Sequence, residues 1–320
     1  MRIVTLEEHF TTPELQNART QVWQGAPEYM RALSSKLLDL GDARIADMDE
    51  AGIDLQVLSP AAGSFEILDP ATAIALARDT NDRLASAIGA HPKRFAGFAT
   101  LALQEPTQSA AELERCIRKL SFKGALVNGT VNGKFLDDPS FAPFFEAAQA
   151  LDVPIYLHPA PPPQPVADAY YSGLPGPAGF LLSTAGWGWH VETGMHCLRL
   201  IVSGVFDRFP KLKMIIGHMG EDLPFSLARA DTVMGFGAKH LKRKVAEYFH
   251  EHFYVTTSGY FTLPPFLCAL QVVGADRLLF SVDYPFSANT TGRNFLNALP
   301  ISPEDLDKIS HRNADTLLKL

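Results

Sequence analysis

Residues 213–218 read KMIIGH, an apolar run of strand length that ends in a polar side chain. Seven other runs are similarly rich in β-branched, aliphatic and aromatic residues, which gives eight predicted strands: 2–9, 55–59, 95–101, 124–128, 154–158, 213–218, 253–257 and 278–283. Most of these runs are nearly continuous in apolar residues rather than alternating. This pattern is typical of parallel strands that are covered on both faces.

Longer stretches with apolar residues at helical spacing separate the strands, at 71–91, 109–119, 140–151, 192–206, 241–250 and 263–273. Several helix ends are marked in the sequence. Asp69-Pro70 and Ser302-Pro303 are typical starts, and Gly274 is a typical end. Eight strands that alternate with helices favour a closed barrel over an open doubly wound sheet. We therefore expect an α/β fold, a (β/α)8 TIM barrel, with residues 1–320 in one domain.

Composition and charge argue against several classes of protein. The 320 residues are 47% hydrophobic and 20% charged, as in a globular protein with a large core. The net charge is −7, and we interpret the one dense basic stretch, 239–244, as a solvated helix face, so no nucleic-acid partner is expected. We see neither a membrane-spanning run nor a signal peptide, and expect a cytoplasmic protein with no membrane partner.

Cys116, Cys197 and Cys268 are expected to be buried and unreactive.

Residues 159–190 interrupt the alternation because they are dense in proline, glycine and aromatic residues. Proline at this density prevents a regular helix or strand throughout. The segment follows the fifth predicted strand, on the side where barrel active sites form, so we interpret it as a wall or lid of a pocket. A linker between domains is the alternative, although solvated linkers contain few aromatic residues.

Four predicted strands end in side chains that can bind a metal ion. Side chains alternate along a strand, so Glu7 and His9 face the same way. Such a pair alone is more often a buried ion pair than a metal site. However, His158, His218 and Asp283 also end strands, and these ends converge at one mouth of a barrel. We therefore predict one divalent cation, zinc or manganese, with four ligands: Glu7, His9, His158 and Asp283.

His218 could be a fifth ligand, but Glu221 follows three residues later, at the predicted start of a helix. A carboxylate there can orient the imidazole for acid–base chemistry, so we place His218 among the reacting groups. The other histidines lack comparable partners, and for them we expect surface or capping positions: His91, His190, His196, His240, His250, His252 and His311.

Six short motifs carry a resemblance to a known family: EEHF at 7–10, GALVNG at 124–129, YLHP at 156–159, GHMGE at 217–221, TTSG at 256–259 and FSVDYP at 280–285. Taken in order, they resemble the decarboxylase branch of the amidohydrolase superfamily, and most nearly its γ-resorcylate and dihydroxybenzoate decarboxylases. The resemblance spans nearly the whole chain, from Leu6 to Asn313-Ala314.

The resemblance implies a metal-dependent, non-oxidative decarboxylase of a hydroxylated aromatic carboxylic acid. A divalent ion can chelate the substrate carboxylate and an ortho phenolate oxygen while the ring carbon is protonated. Asp283 is then the expected acid, and His218 with Glu221 would orient the substrate or share its proton. The family also implies a homodimer or homotetramer.

Three further residues are candidates for substrate binding. Arg229 matches a family position near the active-site mouth that is often contributed across a subunit contact; a surface ion pair with Asp231 explains it equally well. Phe10 and Trp23, with the aromatic residues of 159–190, are candidate walls for a flat substrate, although core packing explains Phe10 nearly as well.

Two positions depart from the close decarboxylases. Ala160-Pro161-Pro162 stands where Arg-Asn-Pro is usual, and Ala228 stands where tryptophan is usual, so we expect a roomier and less cationic pocket. Two alternatives stay open at this point. One is a metal-dependent hydrolase of an ester, lactone or amide. The other is a non-catalytic ligand-binding barrel whose metal is only structural.

Overall fold

The structure is a computed structural model that describes residues 1–19, 27–62, 65–66 and 68–320. Each of the eight predicted runs contains a strand, and most of these strands are shorter than predicted: β1 Val4–Phe10, β2 Leu55–Pro60, β3 Phe95–Gly97, β4 Ala125–Asn128, β5 Ile155–His158, β6 Met214–Ile216, β7 Phe253–Thr256 and β8 Leu278–Leu279. They form two sheets of consecutive parallel strands, β1 to β3 and β4 to β8.

Contacts connect the two sheets along both seams, where β3 adjoins β4 and where β8 adjoins β1. Ala99 and Ala125 form a parallel bridge between the chain after β3 and the start of β4. At the other seam the Glu8 carboxylate, on β1, accepts the N–H groups of Val282 and Tyr284, beyond β8, at 2.9 and 3.0 Å. The strand order is therefore that of a (β/α)8 barrel, as expected from the sequence.

Helices follow the strands, as a parallel sheet requires. Those of the described chain are Pro13–Arg19, Glu28–Ala32, Ser34–Leu38, Asp42–Ala51, Pro70–Ala90, Pro106–Leu120, Ala142–Leu151, Gln164–Tyr170, Ala178–Ser183, Gly188–Val202, Val205–Arg208, Leu223–Met234, Val245–His252, Leu263–Val273, Asn289–Asn297, Pro303–Asp307 and Asn313–Leu318. The predicted caps are present. The side chains of Asp69 and Ser302 each accept a backbone N–H at 3.0 Å, and Gly274 ends its helix.

Three sequence expectations need correction here. The basic stretch 239–244 forms turns rather than a helix face, because the helix begins only at Val245, where the Glu247 side chain accepts the N–H of Lys244 at 2.8 Å. The predicted helix 192–206 is two helices, interrupted at Gly204, which has a φ of 75°. Cys116 and Cys197 are buried as expected, but Cys268 is only partly buried.

An irregularity in β1 determines which of its side chains enter the barrel. Val4 and Leu6 pack with inward-facing residues of other strands, such as Ile215. The pairing of β1 with β2 shifts between Thr5 and Glu8, so one extra residue is accommodated there. Without this bulge, strict alternation would point Glu7 away from the barrel interior that Leu6 faces. With it, Glu7 also faces inward.

Residues 159–190 contain the short helices Gln164–Tyr170 and Ala178–Ser183, and then the first turn of Gly188–Val202. Their role as a lid stays a prediction. No helix in the described residues is long and apolar enough to cross a membrane. The cytoplasmic location and the absence of a nucleic-acid partner likewise stay predictions.

Candidate active site

A cavity of about 200 Å³ lies at the C-terminal ends of the strands. Four residues singled out in the sequence line it: His9, His158, His218 and Asp283. Tyr260 and Phe286 also line it, although no motif marked them. Within the described chain, no lysine or arginine lines this cavity. A larger depression, of about 1040 Å³, lies around Arg2, Lys93 and Lys123 and contains none of these groups.

Glu7, His9 and His158 form a compact group at the base of this cavity. Their ligand atoms all lie within 4.8 Å of one another, and all three side chains are buried. The Nε2 atom of His158 lies 3.1 Å from Glu7 Oε1. Asp283 completes the predicted set, with its Oδ1 atom 3.3 Å from His9 Nε2. The structure therefore brings the four predicted ligands together.

The donor atoms of this group fit a divalent cation. Glu7 Oε1 and His9 Nε2 are buried, and neither makes a hydrogen bond within the described chain. The Nδ1–H of His158 donates to the carbonyl oxygen of Pro159 at 2.7 Å, so its Nε2 lone pair is free to bind a metal. Two carboxylates and two imidazoles are a common ligand set for zinc and manganese.

The pKa values of these residues favour the protonation states that metal binding requires. Burial alone would raise the pKa of Glu7, but the charge of His218, with smaller contributions from the other neighbouring histidines, holds it well below its usual range. Burial lowers the pKa of His9. Burial opposes ionisation of Asp283, but His218 and His9 lower its pKa overall. Ionised carboxylates and neutral imidazole are the forms that bind metals.

Three residues outside the predicted ligand set support Glu7. The Tyr156 hydroxyl donates to Glu7 Oε2, and Thr256 Oγ1 lies 3.3 Å from the same oxygen. Gly217 leaves the necessary space, because a Cβ atom there would lie 2.7 Å from Glu7 Oε2. Tyr156 could have been found, because it lies two residues before His158 and so faces the same side of β5.

His218 and Glu221 form the expected pair, but the local backbone differs from the prediction. Glu221 does not begin a helix, because Leu223–Met234 starts two residues later. The five residues from His218 to Asp222 all have positive φ, between 51° and 89°. Within this left-handed turn the His218 Nδ1–H donates to Glu221 Oε1 at 2.8 Å. The His218 N–H donates to Ser258 Oγ at 3.0 Å.

The Nε2 atom of His218 is directed toward the four predicted metal ligands, which we call the metal-binding group. This atom lies 3.7 Å from Glu7 Oε1 and 3.9 Å from Asp283 Oδ2. Burial by itself would lower the pKa of His218, but the charges of Glu7 and Glu221 raise it well above its ordinary value. His218 therefore takes up a proton more readily than an ordinary histidine does.

Three histidines were wrongly expected at surface or capping positions. His190, His196 and His252 are buried. His196 accepts the N–H of Leu136 at 2.8 Å, and His252 donates to the carbonyl oxygen of Leu212 at 2.8 Å. These partners lie 40 or more residues away in the chain, so no local pattern marks them. His190 bonds to Glu221 and lines the cavity.

The candidates for substrate binding are not brought together in this chain. Phe10 is fully buried in the hydrophobic core and does not line the cavity. Trp23 lies outside the described residues. Ala228 and Arg229 are exposed on Leu223–Met234, away from the cavity, so Ala228 does not enlarge it within one chain.

Comparisons with known proteins agree with this geometry. Residues 20–320 match the family model described as amidohydrolase. The chain is 41% identical to a γ-resorcylate decarboxylase of Polaromonas sp. over 99% of this chain and 98% of that one. It is 40% identical to the crystal structure of a dihydroxybenzoic acid decarboxylase from Polaromonas sp. with bound manganese and 2-nitroresorcinol, which it matches with a TM-score of 0.92 over 100% and 97% of the chains.

A crystal structure of a 2,6-dihydroxybenzoate decarboxylase complexed with 2,6-dihydroxybenzoate is also 40% identical, with a TM-score of 0.91 over the full length of both chains. The two crystal structures match this chain over its full length, which includes the positions of all six motifs. The chain therefore belongs to the amidohydrolase family, in the branch that contains the γ-resorcylate decarboxylases.

Proposed function

We propose that this protein is a metal-dependent, non-oxidative decarboxylase of a hydroxylated aromatic carboxylic acid. We also propose that one divalent cation, manganese or zinc, is bound by Glu7, His9, His158 and Asp283. The observation that carries the proposal is the position of Asp283. One of its oxygens lies 3.3 Å from His9 in the metal-binding group, and the other lies 3.9 Å from His218 Nε2 at the cavity.

The cation, when bound, would hold the carboxylate and ortho phenolate oxygens of the substrate and stabilise their negative charge. The remaining steps belong to the side chains. His218 is the resting place of the proton, because its pKa is raised while that of Asp283 is lowered. The 3.9 Å between them in the substrate-free chain is a distance that substrate binding can shorten.

Asp283 would take this proton and deliver it to the ring carbon that carries the carboxylate. A C–H bond forms there at the expense of two ring π electrons. The C–C bond to the carboxylate then breaks, its electron pair restores the aromatic ring, and CO₂ leaves. Glu221, bonded to His218 Nδ1, stabilises the imidazolium and holds its orientation.

The cavity is suited to a small aromatic acid. Trp189, Tyr260 and Phe286 provide flat apolar walls around the histidines. Because no lysine or arginine lines the described part of the cavity, the substrate carboxylate would depend on the cation and the histidines for charge compensation. Arg229 could reach a substrate only in the cavity of another subunit.

We further propose a homodimer or homotetramer. Large apolar side chains are exposed on the helices Leu223–Met234 and Leu263–Val273, which contact each other. Phe225 is 89% exposed there, and Leu263 and Leu267 are also exposed. A second copy of the chain would remove this apolar surface from water. Phe225→Asp should reduce the molar mass measured by light scattering, and an unchanged mass would exclude this surface as the contact.

The test of the proposed activity combines metal analysis with a screen for CO₂ release over a panel of hydroxybenzoates. The expected result is about one divalent ion per chain, CO₂ release that chelators abolish, and a product whose new ring hydrogen comes from solvent. Incorporation of labelled oxygen from water into an ester, lactone or amide substrate would instead support the hydrolase. A full metal complement without turnover of any hydroxybenzoate would support the ligand-binding barrel.

A further inference from the structure

His190 was not marked by any sequence motif, yet it is buried beside the candidate active site. It lies in the first turn of Gly188–Val202, is 2% exposed, and lines the cavity. Its Nδ1–H donates to Glu221 Oε2 at 2.6 Å, while His218 Nδ1–H donates to Glu221 Oε1 at 2.8 Å. One buried carboxylate therefore accepts a hydrogen bond from an imidazole on each of its oxygens.

The same three side chains could be considered as a second metal site, because their ligand atoms are close together. The distances favour hydrogen bonds instead. Two ligand atoms about 2.1 Å from one tetrahedral ion are about 3.4 Å apart. The observed separations of 2.6 and 2.8 Å are shorter and are typical of charge-assisted hydrogen bonds.

The second ring nitrogen of His190 contacts the pocket wall. Its Nε2 atom lies 3.0 Å from the carbonyl oxygen of Ala185 and 3.2 Å from Trp189 Nε1. Ala185 and Trp189 both line the cavity and belong to the segment 159–190. His190 thus connects this wall to Glu221, and through Glu221 to His218.

We propose that His190 is a positioning residue that holds Glu221 in the orientation required by His218. The inference depends on the role proposed above for His218. Removal of the His190 ring would leave Glu221 Oε2 buried without that donor, and a buried carboxylate oxygen that loses its donor is destabilised. Glu221 would then rotate or take up a proton. In either case His218 Nδ1 loses its fixed acceptor, and Nε2 is no longer aimed at Asp283.

The test compares two substitutions of His190 with one control. His190→Phe keeps a flat ring but removes the donor, whereas His190→Asn keeps an N–H close to the position of Nδ1. His196→Phe is the matched control, because His196 is buried on the same helix and bonds to Leu136 rather than to the site. The zinc-loaded proteins are labelled with ¹⁵N-histidine so that the protonation of each ring nitrogen can be read by NMR without substrate.

For His190→Phe we expect kcat to fall about 10- to 100-fold, the range of other supporting hydrogen bonds around metal sites, with KM changed less than twofold. The His218 Nδ1 signal should change from that of a fully protonated nitrogen to that of a mixture of protonated and unprotonated forms. His190→Asn should recover most of kcat and the fully protonated Nδ1 signal. His196→Phe should leave the His218 signals unchanged.

Three results would overturn the proposal. The first is a His190→Phe protein with wild-type kcat and wild-type His218 signals. The second is a loss of kcat with unchanged His218 signals, since this would be a merely structural effect. The third is two metal ions per wild-type chain and one in His190→Phe, which would make the cluster a metal site. Absence of CO₂ release from the wild type would contradict the proposed function and leave the NMR comparison valid.

Discussion

Replacing Tyr156 with phenylalanine tests whether a single hydroxyl group sets the metal affinity. The Tyr156 hydroxyl donates to Glu7 Oε2, inside a barrel where Glu7 is completely buried. A hydrogen bond to a charged group contributes about 1.5 to 3 kcal/mol. Since about 1.4 kcal/mol corresponds to a factor of ten, the dissociation constant of the metal should rise about 10- to 100-fold in Tyr156→Phe.

The loss of metal affinity should not reach the upper end of this range, because Thr256 Oγ1 lies 3.3 Å from Glu7 Oε2 and can partly replace the Tyr156 hydroxyl as its donor. Burial and the charge of Glu7 raise the pKa of Tyr156 well above its usual value, so the hydroxyl remains a donor at neutral and moderately alkaline pH. Tyr156→Phe should therefore bind the metal more weakly than the wild type at both pH 6 and pH 9.

Competition with a chromophoric chelator measures the dissociation constant directly. Tyr254→Phe is the matched control, because Tyr254 lies on β7 but contacts Arg277 rather than the metal-binding group. A dissociation constant for Tyr156→Phe within twofold of the wild type, in a protein that melts normally without metal, would refute the argument that Tyr156 supports the ligand.

Three other outcomes are expected. Asp283→Asn should retain measurable metal binding but lose about 10²- to 10⁴-fold in kcat, because the amide cannot pass on a proton; exchange of the product's ring hydrogen in deuterated water at the wild-type rate would assign the acid role elsewhere. A saturating hydroxybenzoate should slow proteolysis within 159–190, since Ala185 and Trp189 line the cavity, and equal cleavage rates would argue against a lid. Burial raises the pKa of Glu8 to about 8 in the folded chain from an ordinary value of 4.5. Between these two pH values Glu8 is therefore protonated in the folded state and ionised in the unfolded state. The free energy of unfolding of the metal-free wild type should therefore fall as the pH rises from about 5 to 8, and urea titrations should find a smaller fall in Glu8→Gln; parallel pH profiles would contradict this reasoning.

The elements of the barrel were predictable because their causes are local. The run at 213–218 is continuous in apolar residues since β6 is buried on both faces, and Asp69, Gly274 and Ser302 mark helix ends through their own backbone and side-chain chemistry. The ends of parallel strands meet at one mouth, so Glu7 and His158 could be assigned to one site although 151 positions apart.

The remaining features depend on contacts that no local pattern encodes. The extra residue between Thr5 and Glu8 becomes visible only when β1 is paired with β2. His190 was misplaced because its partner Glu221 lies 31 residues away, and its own helix has no unusual composition. The position of Ala228 relative to the cavity was not predictable either, because a comparison of one residue does not specify which face of its helix is directed at the cavity of its own chain.

The left-handed turn from His218 to Asp222 should make the active site less stable than the barrel that carries it. Four of its five residues are not glycine, and each such residue in the left-handed region costs roughly 1–2 kcal/mol relative to a right-handed helix. The hydrogen bonds of His218 to Ser258 and Glu221 offset this strain only while the surrounding chain is well packed. On gradual heating, the turn should relax and carry the His218 imidazole away from Asp283 before the strands separate. Inactivation would then precede unfolding, and substitutions that lower the melting temperature without touching the cavity would also lower the temperature at which the protein stops working.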